Sequence, residues 1–207
     1  MERCRGRIDA RTRVHAVTFY LPRHRGRCEH RARAMSYSYE VRNADLSDVS
    51  PLHDLAIAVT RDGRGVVFTL DDVLERGPRT AERIQASIDA ATRDDNLALV
   101  ATVGERVVGY ASVKRVAATF THHVGVFSVE VHPDHQRRGI GRSLLVACLQ
   151  WAKEHGIERF ELYTRDDNDR AQALYESEGF RLESKRVRFL KLPDGRYVDD
   201  LVYVRFL

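Results

Sequence analysis

Cysteine is scarce in this chain. There are three, and two of them, Cys4 and Cys28, fall within the first 34 residues. An odd and sparse count excludes a disulfide scaffold and fits a reducing cytosol. Long apolar runs are also missing, so no segment has the length of a membrane span. The Gly-Lys-Ser/Thr ending of a triphosphatase phosphate loop is absent. So is the third glycine of a dinucleotide fingerprint, because Leu144 stands where it would fall. Neither repeats nor low-complexity linkers are found, and 207 residues suit one domain with an extension.

The net charge of +4 hides a division. Residues 1–34 carry ten arginines against Glu2, Asp9 and Glu29, a balance of +7 that leaves −3 for residues 35–207. The slightly acidic body gives no support to a nucleic-acid-binding domain. The leader has one short apolar patch, Val14 to Leu21, broken by His15 and followed by a stretch too basic for a secretory cleavage region. An Arg-rich organelle-targeting peptide or a nucleic-acid-binding tail is one reading of it. The reading preferred is a disordered, dispensable leader over 1–34 and a folded domain over 35–207, because Met35 opens "MSYSYEVRNADLSDV", which has the look of a domain start.

Within the body, alternation from Tyr37 to Val41 predicts a short strand. Asp45, Ser47, Ser50 and Pro51 then open a helix running to about Thr60, which "RDGRG" breaks. A second helical region is split by Gly77–Pro78 into Leu70–Arg76 and a stretch from Thr80 to about Thr92. "NLALVATV" and "RVVGYASVKRV" flank Gly104–Glu105 as a hairpin, and "HVGVFSVEV" is a further strand. Ile140, Leu144, Leu145, Cys148, Trp151 and Ala152 share one face of a helix that Gly156 ends, with Cys148 in its core. "IERFELYT" follows as a strand. A helix from Asp169 to Glu178 closes at Gly179, and two long strands turn at Pro193-Asp194-Gly195. The order is β-α-α-β-β-β-α-β-α-β-β, and Phe127 to Thr164 forms a parallel strand–helix–strand crossover.

The chemistry concentrates in "VEVHPDHQRRGIGRSLL", residues 129–145. A helix N-terminus presents amides without partners and a partial positive charge. Glycines let an anion approach that backbone, and Arg137, Arg138 and Arg142 add charge around it. These are the ingredients of a pyrophosphate cradle. A tight turn that needs glycine for steric reasons would explain the pattern equally well.

"QRRGIG" after a strand ending Val-His-Pro, and "NDRAQALYESEGF" after the next strand, together resemble the GCN5-related N-acetyltransferase (GNAT) superfamily over Tyr37 to Leu207. The resemblance implies an α/β (α+β) fold. Its central sheet of six or seven strands would be mixed and mostly antiparallel, with about four helices and one parallel strand pair that splays apart. It also implies an enzyme using acetyl-CoA as co-substrate, with no metal. The pantetheine arm would run along Val129, Glu130 and Val131, and the pyrophosphate would rest on the segment Gln136, Arg137, Arg138, Gly139, Ile140, Gly141, Arg142 and Ser143. Asn168 and Ala171 would meet the cofactor arm, and Tyr175 would face its sulfur. A phenol there can protonate a departing thiolate, although Tyr175 could also merely pack the helix on the sheet beside Phe180.

The base is open between Glu130, Glu161 and water. Where some members of the superfamily carry a glutamate five residues before the asparagine, this chain has Tyr163. His122, His123, His132 and His135 lack zinc-site spacing, and His123 is a candidate for the substrate end of the cleft. Asp71, Asp72 and Glu75 could attract a cationic acceptor or simply complete a helix N-terminal turn. The closing "LPDGRYVDDLVYVRFL" looks like branches that acetylate amino acids or related small amines, and like branches that modify ribosomal-protein N-termini. The expectation is a cytoplasmic enzyme with a small-molecule amine acceptor, assembled as a homodimer, with neither membrane nor nucleic acid as partner. Transfer to a protein N-terminus or lysine, and a non-catalytic acyl-CoA-binding module, are the alternatives.

Overall fold

The computed structural model describes residues 37–76, 80–93 and 95–207. The leader 1–34 and the Gly77–Pro78 break lie outside them. Seven strands and four α-helices follow in the predicted order: β1 (Glu40–Asn43), α1 (Val49–Asp62), α2 (Ala81–Arg93), β2 (Leu97–Val103), β3 (Arg106–Arg115), β4 (Val124–Val131), α3 (Ile140–Glu154), β5 (Arg159–Arg165), α4 (Asp169–Ser177), β6 (Arg181–Lys191) and β7 (Tyr197–Phe206).

Local chemistry sets the boundaries. Ahead of α1, the Asp45 carboxylate accepts the Ser47 amide at 2.8 Å while the Asp48 carboxylate accepts the Asp45 amide at 2.9 Å. Such reciprocal capping is worth about 1 kcal/mol. Gly63, at φ 73°, closes α1 in the left-handed region. One expected boundary differs. The first strand begins at Glu40 rather than Tyr37, because Glu40 pairs with Thr102 and β2 ends one residue further on at Val103; the Tyr37 and Tyr39 hydroxyls bond His135 and Ser143. The expected helix over 70–76 is present, its last five residues Asp72–Arg76 winding as a wider π-helix, and mutual hydrogen bonds between Thr69 and Asp72 cap its start.

The sheet order is β1-β2-β3-β4-β5-β7-β6, and every neighbour pair is antiparallel except β4 with β5. Side-chain alternation divides the core in two. Leu99, Ala101, Phe127, Phe160 and Leu162 join Ile140, Leu144, Leu145 and Cys148 of α3 and Tyr175 of α4. Ala98, Val100 and Tyr110 join Leu52 and Leu55 of α1 and Ile84 and Ile88 of α2. The helices thus clamp the sheet from both faces. Burial pushes the Cys148 thiol far above its ordinary range, so it packs as an inert hydrophobe. Among the described residues no helix is long and apolar enough to cross a membrane.

Candidate active site

The parallel register of β4 and β5 runs from Val124–Arg159 to Phe127–Leu162 and stops there. Both strands continue, β4 on β3 as far as Val131 and β5 on β7 as far as Arg165. Their carboxyl ends therefore share no ladder. The His132 amide donates to the Val108 carbonyl, which fixes the alternation of the β3–β4 ladder. Glu130 then exchanges bonds with Tyr110, while the main-chain groups of Val129 and Val131 turn toward the gap. One of these already has a partner, since the Gln136 side-chain amide donates to the Val131 carbonyl at 3.1 Å. A cleft of about 580 Å³ opens at this gap, walled by the end of β4, the N-terminus of α3, α4, α1 and the segment 64–68.

At the start of α3, Gly139 is the N-cap at φ 83°, Arg137 also lies at positive φ (62°), and no side chain caps the helix. The first internal bond runs from the Ser143 amide to the Gly139 carbonyl at 3.0 Å. The Gly139–Arg142 amides precede it and have no helix carbonyl to bond. The two glycines differ in cause. Gly139 serves the turn, where an L side chain is strained. Gly141 has no such need. A Cβ on it would sit 3.7 Å from Val131 and 3.9 Å from Leu174, in ordinary contact with two residues that line the cleft.

Not every side chain expected at this corner lines the cleft. Gln136, Arg137, Gly139, Ile140, Gly141 and Arg142 do. Arg138 lies over the Tyr37 ring at 4.2 Å, and Ser143 shares a 2.6 Å hydrogen bond with Tyr39; neither is in the lining. The Arg142 guanidinium is paired with Glu178 at 2.9 Å and Ser177 at 2.8 Å.

Across the gap, Asn168 is the N-cap of α4, its side-chain oxygen accepting the Ala171 amide at 3.3 Å. Ala171 and Tyr175 lie one and two turns further along, and both line the cleft. Tyr175 is only 6% exposed, wedged against Phe180 and Tyr203. No protein group hydrogen-bonds its hydroxyl among the described residues. Among the described residues the single sealed polar side-chain atom left without a partner is Arg115 Nε, so the phenol opens onto the cleft. Burial raises its pKa to about 12, which keeps it a proton donor at neutral pH.

Glu130 lines the cleft from the face that carries α1 and α2. Glu161 stays outside the lining, accepting from Arg159 at 3.0 Å and from the Tyr163 hydroxyl at 2.8 Å. His123 is not at the substrate end. It sits at the paired base of β4, where its carbonyl accepts the Glu158 and Arg159 amides. His135, beside Tyr37, does line the cleft, and burial lowers its pKa. Among the described residues no three metal-ligating side chains gather.

Sequence reasoning missed the outer wall: Ala56, Val59 and Thr60 of α1, the segment from Arg64 to Phe68, and Arg170 of α4. The Arg170 guanidinium reaches across from α4 and donates to the Gln136 side-chain oxygen at 2.9 Å. The only local signal for the wall was the paired glycines of "RDGRG".

Sheet order, splayed strand pair and glycine-started helix define a protein of the acetyltransferase type. The chain belongs to the acetyltransferase (GNAT) family, matching it over residues 53–180. It is 39% identical over 89 residues to N-alpha-acetyltransferase RimI of Mycobacterium tuberculosis, covering 43% of this chain and 54% of that protein. It is 34% identical over 97 residues to mycothiol acetyltransferase of Acidimicrobium ferrooxidans, covering 46% and 31% respectively. The chain thus spans about half or less of the length of these relatives. The structure of yncA from Salmonella typhimurium with its cofactor acetyl-CoA shares the fold, with a TM-score of 0.73 at 22% identity over 82% of this chain and 94% of that one.

Proposed function

We propose that the protein transfers an acetyl group from acetyl-CoA to the primary amine of a small metabolite such as an amino acid, in the cytoplasm. The observation that carries this reading is Tyr175, a protonated and otherwise unbonded phenol facing a gap between parallel strands. The residues present fit the co-substrate: Gly141 keeps clear the space a Cβ would fill, beside amides that α3 cannot use itself. The main chain of Val129 and Val131 would pair with the pantetheine arm as an added strand, with Glu130 between them. The amides of Gly139, Ile140, Gly141 and Arg142 would hold the diphosphate, with Arg137 adding charge. Gln136, Arg138, Ser143, Asn168 and Ala171 complete the proposed cofactor side, as residues that shape this corner and the facing helix start.

Bound there, acetyl-CoA supplies an activated acyl group as its thioester. Glu130, or a water beside it, takes the proton that an ammonium must lose before its nitrogen can bond the carbonyl carbon. As the carbon–sulfur bond breaks, the Tyr175 hydroxyl donates its proton to the sulfur and is then reprotonated from solvent. The mycothiol acetyltransferase relative supports a small acceptor.

A second acceptor, the α-amino end of a polypeptide, is favoured by a specific feature. The β6–β7 hairpin contributes no residue to the cleft wall, which is consistent with a longer acceptor, and the RimI relative is named for N-alpha acetylation. Thiol release from acetyl-CoA across amino acids, polyamines, aminoglycosides and peptides separates the two acceptors. No release with any amine above the rate in water would sink the acetyl-transfer reading. Residues 1–34 we propose to be dispensable: a chain beginning at Met35 should release thiol at the full rate, and a loss would give the leader a role. Homodimerisation is likewise proposed, and sedimentation reads it directly.

A further inference from the structure

Arg165 is 7% exposed, an unusual place for a charge unless its donors are matched. At the end of β5 its guanidinium grips Asp167 with two donors, Nε at 2.8 Å and Nη2 at 2.5 Å. Its remaining nitrogen, Nη1, reaches 99 residues back along the chain to donate to the Val66 carbonyl at 2.9 Å. A second contact lies next to the first. Gly65, at φ 69°, presses its backbone so closely on Asn168 that a Cβ there would overlap the side-chain nitrogen. Two neighbouring residues of the 64–68 segment are thus fastened to one turn, the turn that starts α4 and sets the direction of Tyr175.

The position of that segment gives the arrangement its consequence. Arg64, Gly65, Val66, Val67 and Phe68 all line the cleft. They follow α1, which packs on the sheet face that carries Tyr110 and its cross-strand partner Glu130. The α3 N-terminus, with its free amides, belongs to the opposite face. Glu130, the proposed base, opens into the cleft from this same face, so under the acetyl-transfer reading the 64–68 wall lies on the side where the amine is deprotonated.

We infer that Arg165 is a positioning residue that fixes the acceptor wall of the cleft by tying the 64–68 segment to the β5–α4 turn. It touches neither reacting group. It sets the distance between that wall and Tyr175, and so decides which amines are held in line with the thioester. The inference rests on the acetyl-transfer reading. Lysine cannot take over the role, because one ammonium on a flexible stem cannot grip both oxygens of Asp167 and reach Val66 together.

The test compares wild type with Arg165→Lys, using acetyl-CoA with free L-alanine and with an alanine-starting tetrapeptide as acceptors. Arg165→Lys should raise the acceptor KM about tenfold, leave kcat within about threefold, and change the ratio of the two acceptors' kcat/KM. Affinity for CoA should stay within about twofold, and amide hydrogen exchange across 64–68 should speed up. An unchanged acceptor KM and acceptor ratio despite faster exchange would overturn the inference, as would a loss of CoA affinity equal to the rise in KM. If the lysine variant does not fold, Asp167→Asn, which keeps Arg165 but weakens its grip, must move acceptor KM in the same direction; no movement overturns the inference. If wild type acetylates neither acceptor, acetyl transfer to these amines is what fails. Exchange across 64–68 then decides the positioning role by itself: faster in the lysine variant supports it, unchanged refutes it.

Discussion

Phe127 and Leu162 form the last register pair between the two parallel strands, and four further residues of β4 continue past it on β3 alone. Beneath that point the Phe127 and Phe160 rings pack at a tilt of 36° with a centroid distance of 5.6 Å, so aromatic packing fills the closed end of the gap. Above it, main-chain donors and acceptors of Val129 and Val131 face the space opposite Tyr175. The same two strands thus supply a closed base and an edge outside any strand ladder.

Tyr175→Phe removes the proton donor and almost no volume. Turnover should fall roughly ten- to a thousandfold while CoA affinity barely changes. Thiol-release kinetics beside calorimetric titration with CoA check this. Unchanged turnover would reduce Tyr175 to a packing residue.

The same phenol leaves a mark on alkaline stability. Tyr175 is held protonated to about pH 12 by burial in the native fold, whereas in the unfolded chain it ionises near 10. Its contribution is fully present below pH 10. It is lost as pH rises toward 12, because the unfolded chain then releases a proton that the native state retains. The loss is on the order of 2–3 kcal/mol. Urea unfolding between pH 9 and 11.5 should show wild type losing stability relative to Tyr175→Phe; parallel curves would contradict the buried, neutral phenol. Tyr203, also raised to about 12 by burial and the Glu176 carboxylate, remains in both chains and cancels.

The two glycines at the head of α3 should fail differently. Gly139→Ala forces an L side chain to φ 83° and should lower stability by about 1 kcal/mol. Gly141→Val meets no protein atom closer than ordinary contact at its Cβ, so the melting temperature should hold nearer to wild type. Its side chain instead occupies the diphosphate approach, and CoA affinity should drop tenfold or more. Intact affinity in Gly141→Val would dispose of the phosphate cradle.

Adjacent arginines provide a second contrast. Arg137 lines the cleft, whereas Arg138 lies over Tyr37 and donates to the Asp134 carbonyl at 3.1 Å. Arg137→Ala should weaken CoA several-fold, most clearly at low salt, and Arg138→Ala, which acts only through the shape of the corner, should cost clearly less. Equal losses in titrations at two salt concentrations would mean that long-range charge, not placement, is what matters at this corner.

Much of this was legible in the residues, for reasons that vary from one to the next. Strand and helix order followed from periodicity, and the α3 start from glycines flanked by arginines. Tyr175 came from the family resemblance, and its seven-residue distance from Asn168 agrees with a shared helix face. The direction of long side chains was not legible: nothing local tells that Arg142 turns to Glu178 and Arg138 to Tyr37. The 64–68 wall was hidden too, because its shape comes from Arg165, 99 residues away, and not from any pattern of its own. His123 was misplaced because only the register of β4 shows which end of that strand closes.

The most direct measurement is a titration of CoA into nitrogen-15-labelled protein, followed by amide resonances. The largest shifts should fall on Val129, Val131 and Gly139 to Arg142, with the Tyr175 amide responding in parallel. Shifts confined to the β6–β7 hairpin or the outer face of α2, with those amides undisturbed, would contradict the account.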